Sequence, residues 1–243
     1  MASALLWVGE MCMGFAVIAF TLMGLRARAG DKHHYLVSIL IVMIATASYF
    51  AMSIGQTHLT LSDGHGIFIA RYLDWALTTP LLILGTATIG IRSLGSDKTH
   101  VYGAIAADIF MILTGFAGGL SVDNSRWVWY AFSCIAFVAV LLLLWGPLRA
   151  QATLAGRGAI YRRLILVLTV LWIQYPFVWL LGGEGFRVLP SGPETLWYSA
   201  LDVIAKVVFG FLSLAAVKSL DPAVEEPAPL RGSSPPLTTN SPR

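Results

Sequence analysis

Apolar residues run along this chain in long blocks, separated by short stretches of glycine, proline or charged residues. The blocks fall near residues 4–26, 34–56, 67–91, 99–120, 125–146, 160–181 and 192–218. A helix needs roughly 20 residues to cross a hydrocarbon layer about 30 Å thick, and each block is of that order. Backbone groups in lipid must find partners within their own segment, which makes the helix the form such a block takes. The pattern predicts an all-α membrane protein, a seven-transmembrane-helix bundle within residues 1–220. An odd number of crossings puts the two termini on opposite sides. The first block lacks a basic stretch before it and is followed by Arg26, Arg28 and Lys32, so it reads as a retained helix and not a cleaved leader. Residues 221–243 are rich in Pro, Ser and Thr and predict a disordered tail with no catalytic part.

Composition agrees. Apolar residues make up 57% of the 243, and Asp, Glu, Lys and Arg only 12%, about half the share of a soluble domain. The net charge of +3 is too small to suggest nucleic acid as a partner; the lipid bilayer is the partner expected. Arg26, Arg28, Lys32, Arg92, Lys98, Arg149, Arg157, Arg162 and Arg163 follow blocks one, three and five, against Arg126 and Arg187 in the other connections. The positive-inside rule then predicts the N-terminus outside and the C-terminus in the cytoplasm. The expected location is a cell membrane, with a bacterial inner membrane favoured. Cys12 and Cys134 sit in apolar runs and read as small buried hydrophobes, with no disulfide framework and no metal site.

Charges inside the blocks need a partner or a purpose, since one at mid-span costs on the order of 2.5 to 3.5 kcal/mol. They are Arg71 and Asp74 in the third block, Asp108 in the fourth, and Asp202 and Lys206 in the seventh. Spacings of three and four put Arg71 with Asp74, and Asp202 with Lys206, on shared helix faces. Asp202 and Lys206 admit two readings: a private ion pair, or an amine held for Schiff-base chemistry with an aldehyde. Trp75, Trp172, Tyr175, Trp179 and Tyr198 flank these charges, and a slot walled by aromatic rings suits a flat, elongated chromophore.

Three stretches carry a family resemblance: RYLDWALTTPLL from Arg71, LWIQYPFVWLLGGEG from Leu171 and ETLWYSALDVIAKVVFGF from Glu194. In them, and across residues 4–218, the chain resembles the microbial rhodopsins, which carry retinal on a lysine of the seventh helix. The resemblance implies all-trans-retinal bound covalently to Lys206, with Asp74 as primary counterion and proton acceptor and Asp202 as second counterion. It implies Arg71 just outside them, with Tyr49 and Tyr175 bonded to Asp202. Trp75 and Trp172 would sandwich the polyene, with Pro176 and Trp179 completing that wall. Met111, Gly115, Tyr130, Ser133, Cys134 and Phe137 would surround the ring end, Ala205 would adjoin the lysine, and Thr79 would pair with Asp108. Glu184 and Glu194 match the family's proton-release acids; without the resemblance they read as solvated acids at loop ends. The homo-oligomeric habit of the family is expected too.

Helix three assigns the ion. The counterion position and the residues four and eleven further on are Asp74, Thr78 and Gly85, a DTG pattern. Chloride pumps of the family have a neutral residue in place of the first, and sodium pumps have Asn there, so the resemblance implies a light-driven outward proton pump, a transporter and not an enzyme. Gly85 stands where many such pumps carry a carboxylic donor, so reprotonation is expected to come more directly from the cytoplasm and to slow as pH rises. His33 and His34 lie at the start of block two and read first as interfacial anchors, second as an uptake group. Ser48 stands where many bacterial pumps have a His bonded to the counterion. Leu82 matches green-absorbing relatives, and the bulk of Tyr130 argues against a carotenoid antenna. The rival reading is a sensory photoreceptor with a transducer, against which stand Ala205, where sensors have Thr, and both glutamates. From a different class, a heptahelical transporter or receptor without retinal would use Asp202 and Lys206 as a structural ion pair.

Overall fold

The computed structural model describes residues 2–91 and 98–220. The expected tail, 221–243, and Arg92 in the third connection lie outside the described residues. Seven helices among these residues are long and apolar enough to cross a membrane. They are α1 (Ala2–Leu25), α2 (Lys32–Ser53), α3 (Ile69–Gly90), α4 (Thr99–Leu120), α5 (Ser125–Leu154), α6 (Gly158–Leu181) and α7 (Ser191–Lys218).

The bundle has its apolar side chains on the outside as well as within. Along α1, Val8, Met11, Phe15, Ile18, Leu22 and Leu25 are all exposed, at spacings of three or four, which is one continuous outward stripe. In water such a surface would aggregate; in lipid it is solvated. Inside lie Asp74, Asp108, Asp202 and Lys206, all at 0–2% exposure. In α3 and α7, 56% of the apolar window is buried, against 22–39% in the other five, so these two helices are central and carry the charged site.

Two stretches differ from the sequence pattern. The fifth block does not end near 146 but continues as helix to Leu154, because Gly146 and Pro147 are taken up in a π-helical turn, Leu144–Leu148, and Tyr161 Oη donates to the Leu144 carbonyl (3.2 Å). The third block starts at Ile69 and not 67, because residues just before it form a hairpin, β1 (His58–Thr60) with β2 (Gly66–Phe68), antiparallel with His58 opposite Phe68. Its tip closes through the Gly64 N–H on the Leu61 carbonyl (2.9 Å), with Gly64 at φ +85°, where a side chain would be strained. Cys12 and Cys134 are unpaired and only partly buried, so neither is the core residue its apolar neighbours implied.

Candidate functional site

Lys206 sits in a second π-helical turn, Ile204–Val208, one turn of α7 beyond Asp202. Its Nζ bonds to Asp74 of α3 and lies 3.2 Å from Asp202 Oδ1, so one buried amine faces two buried carboxylates. The carboxylates are not equivalent. Asp202 accepts hydrogen bonds from Tyr49 Oη (2.8 Å), Trp75 Nε1 (3.0 Å) and Tyr175 Oη (2.8 Å), drawn from α2, α3 and α6. Asp74 receives none of these; Thr78 Oγ1 donates to its backbone carbonyl (2.8 Å), and Asp74 Oδ1 has no partner. Three donors converge on Asp202, whereas one oxygen of Asp74 remains open to a further hydrogen bond.

Beside this cluster lies a cavity with largely apolar walls. Trp75, Thr79, Met111, Gly115, Tyr130, Ser133, Cys134, Phe137, Trp172, Tyr175, Pro176 and Trp179 all line it. Trp75 and Tyr175 also hold Asp202, so the cavity wall is one hydrogen bond from the amine's counterions. A slot walled by aromatic rings, two of which hold the carboxylate beside a buried primary amine, suits a polyene aldehyde such as retinal. Four residues named from the sequence lie elsewhere. Lys206 and Leu82 line a second cavity, Tyr49 reaches Asp202 from outside the aromatic cavity, and Ala205 is buried in the helix core. Thr79 Oγ1 donates to Asp108 Oδ2 (2.6 Å), tying α3 to α4.

Tyr72 was missed. Its ring lines the cavity while its Oη accepts from Trp179 Nε1 (3.0 Å) and donates to Glu184 Oε1 (3.3 Å), joining the slot to the hairpin end of the bundle. The signal was present: positions 72, 75 and 79 share one helix face. At that end Arg71 is buried with its guanidinium 4.4 Å from the Tyr198 ring centre. Glu184 and Glu194 are buried rather than solvated, at 2% and 8% exposure, and are near enough to influence each other electrostatically. Glu194 Oε2 also accepts the Gly183 N–H (3.1 Å).

Above the glutamates is a cluster that sequence reasoning did not find. Asp63, in the hairpin tip, pairs with His65 Nδ1 (2.6 Å), Arg126 Nη2 (3.3 Å) and Arg187 Nη2. The His65 ring is buried and its Nε2 lies 2.9 Å from the Gly119 carbonyl. Partial burial raises the Asp63 carboxyl, but hydrogen bonds from Arg187 and His65 outweigh it and hold the group well below the usual carboxylate range. Arg187 has φ +59°, a left-handed conformation that costs an L-residue about 1–2 kcal/mol.

At the opposite end, the second cavity, about 370 Å³, lies between Lys206 and the basic loops. Gly85, Thr86, Ser38, Ser213 and His34 line it, and a side chain at Gly85 would meet only Val37 Cγ1, at 3.4 Å. His34 is buried, with Nδ1 3.5 Å from Thr88 Oγ1, whereas His33 is exposed, so the anchor reading fits only His33.

Comparison with known proteins gives a consistent result. The profile of the family described as bacteriorhodopsin-like protein matches residues 1–220. Halorhodopsin from Halobacterium sp. (strain SG1) is 33% identical over 240 residues, covering 94% of this chain and 83% of that protein. The thermophilic rhodopsin of Rubrobacter xylanophilus superposes with a TM-score of 0.86 at 35% identity, covering 90% of this chain and 96% of that one. A rhodopsin from Coccomyxa subellipsoidea, described as a light-driven proton pump, does so at 0.83 and 33%, covering 88% and 96%.

Proposed function

The chain belongs to the bacteriorhodopsin-like family of microbial rhodopsins, multi-pass membrane proteins that bind retinal through a Schiff base to lysine and are not enzymes, and from that premise we propose a light-driven outward proton pump of the DTG type. Lys206, the buried lysine among the described residues, holds the retinal, and the aromatic cavity receives it. When bound, retinal supplies light absorption and an isomerisation that changes the basicity and direction of the Lys206 nitrogen.

The chain's residues do the rest. Asp74 takes the proton from the Lys206 nitrogen, because it touches that nitrogen and has an unpaired oxygen. Asp202 serves as the second counterion, held in place by Tyr49, Trp75 and Tyr175. Neutralising Asp74 weakens its pull on Arg71, and Arg71 then draws on Glu184 and Glu194, which release a proton at the hairpin end. The positive-inside rule supports a cytoplasmic side for the other end, where the basic loops lie. There Gly85 offers no donor, and uptake passes through the small cavity, which His34 and Lys206 both line.

One observation carries the choice of ion: a carboxylate, Asp74, is bonded to Lys206 with Asp202 beside it. Halorhodopsin is described as a light-driven chloride pump. A chloride ion at this amine would face two carboxylates in a low-dielectric interior, a strongly repulsive arrangement. The missing donor at Gly85 favours a second reading, a slow sensory photoreceptor. Illumination of unbuffered cells making the protein decides: acidification of the medium, abolished by a protonophore and absent in Asp74→Asn, is expected, and no light-dependent pH change in an intact pigment would establish the sensor.

A further inference from the structure

Asp63 lies in a hairpin loop that neither the counterion cluster nor the cavity touches, yet its carboxylate joins three separate connections of the chain. One oxygen bonds His65 Nδ1 (2.6 Å) and accepts the His65 backbone N–H (3.4 Å). The other meets Arg126 Nη2 (3.3 Å) at the start of α5 and Arg187 Nη2 in the α6–α7 connection. Each arginine has a second engagement. Arg126 Nη1 donates to the Glu184 carbonyl (3.4 Å), and Arg187 Nε donates to the Gly183 carbonyl (3.3 Å). Asp63 is thus bound through two guanidinium groups to the backbone of the two residues that define the glutamate pair: Glu184 itself, and Gly183, whose N–H bonds Glu194 Oε2.

The backbone at Arg187 bears on the same point. It is the non-glycine residue with positive φ among the described residues, at +59°, and its N–H bonds back to the Gly182 carbonyl (2.9 Å). That conformation brings the guanidinium to both the Gly183 carbonyl and Asp63. A left-handed arginine is retained where the surrounding contacts over-determine it, and such residues gather where geometry serves function. Beneath the brace, Tyr72 Oη holds Glu184 Oε1 from within, so the Glu184 carboxyl is set from both sides.

We propose that Asp63 is a positioning residue for proton release: by clamping Arg126 and Arg187 it fixes the Gly183–Glu184 backbone, and with it the approach of the Glu184 and Glu194 carboxyls. This rests on the reading of those two acids as the release group. The carboxylate does not itself carry the released proton; it stays ionised because two guanidinium groups and His65 hold it.

The full-length, retinal-loaded protein in lipid nanodiscs, with a soluble pH-indicating dye and a laser flash at neutral pH, tests this. The parent protein releases a proton before it takes one up. In Asp63→Asn, which keeps the shape and removes the charge, release falls behind uptake and slows by about tenfold or more, the scale expected when reacting groups lose alignment. The dark absorption maximum stays unchanged, amide hydrogen exchange over residues 182–188 quickens, and Asp63→Glu keeps early release. A purely structural brace would lower the melting temperature without altering the order of release and uptake. Early release and slow exchange in both parent and Asp63→Asn overturn the inference alone. A parent that releases after uptake overturns the reading of the glutamates, and the inference with it. Should Asp63→Asn form no pigment, Arg187→Gln, which cuts one arm and leaves Asp63 its Arg126 and His65 partners, is judged by the same two outcomes.

Discussion

Placing an acid at position 85 tests the uptake mechanism directly. On the proposed reading, with no donor in the chain at that place, the Lys206 nitrogen would recover its proton from the medium at a rate that follows proton concentration, about tenfold for each pH unit. The structure allows Gly85→Asp without backbone movement: a Cβ there meets only Val37 Cγ1 at 3.4 Å, an ordinary contact, and opens on the cavity that Lys206 also lines. Replacing glycine inside a helix returns a few tenths of a kcal/mol. Burying a neutral carboxyl costs about 1–3 kcal/mol if it is unpaired, and Ser38, His34 and Ser213 line the same space as partners. The net cost is about 1 kcal/mol, a fall of roughly 2–4 °C in melting temperature for a chain of this size. A positioned acid is worth on the order of 10²–10⁴ in proton-transfer rate. Flash photolysis from pH 5 to 9, following return of the visible band, gives the answer. The parent should slow steadily with pH, and Gly85→Asp should flatten that slope and recover on the order of 10² faster at pH 9. A parent whose recovery ignores pH, or a variant with the parental slope, refutes the reasoning.

Other consequences are open to simpler measurement. Thr79→Val leaves Asp108 Oδ2 without its donor and should destabilise the bundle by about 1–3 kcal/mol, read as a lower melting temperature with the α3–α4 tie gone. Tyr175→Phe removes one of three neutral donors to Asp202, a loss of about 1.5–3 kcal/mol for a bond to a charged group, and should shift the visible band because the counterion's charge is less dispersed. Asp63 has its carboxyl lowered in the folded state, so its contribution to stability is complete above the ordinary value near 3.9 and is lost as pH falls through the lowered one. Melting temperatures of the parent and Asp63→Asn should therefore differ at pH 7 and converge in strong acid; a constant difference down to pH 2 would contradict this.

Much of the bundle was legible because lipid imposes one rule on every segment. Apolar blocks of about 20 residues have no alternative to helix, and a charge within one has nowhere to go but inward. Lys206, Asp202 and Asp74 were found by that rule alone, and their meeting across α3 and α7 follows from it. The extension of α5 was hidden because Gly146 and Pro147 normally end a helix, and only a π-helical turn accommodates both. The β1–β2 hairpin and the Asp63 cluster were hidden for a different reason. Their residues lie outside the membrane blocks, where periodicity is short and charge is common, and their importance comes from contacts between connections 63 and 124 residues apart in sequence. His34 and His33 are neighbours of the same type, and only the helix's rotation, which buries one and exposes the other, tells them apart.

The buried charges carry a further consequence when counted together. Among the described residues Asp74, Asp108, Asp202, Glu184 and Glu194 are the buried acids, against Arg71 and Lys206 as buried cations of ordinary basicity and His34 and His65 as buried histidines. Even with both histidines charged, five acids face four cations, and an unbalanced charge in a low-dielectric interior is far costlier than a bound proton. Electroneutrality therefore stocks the dark protein with at least one proton of its own. On the proposed reading the molecule would work as a primed reservoir: light spends from a proton already inside and uptake refills it afterwards, so release and uptake need not be simultaneous for each cycle to balance.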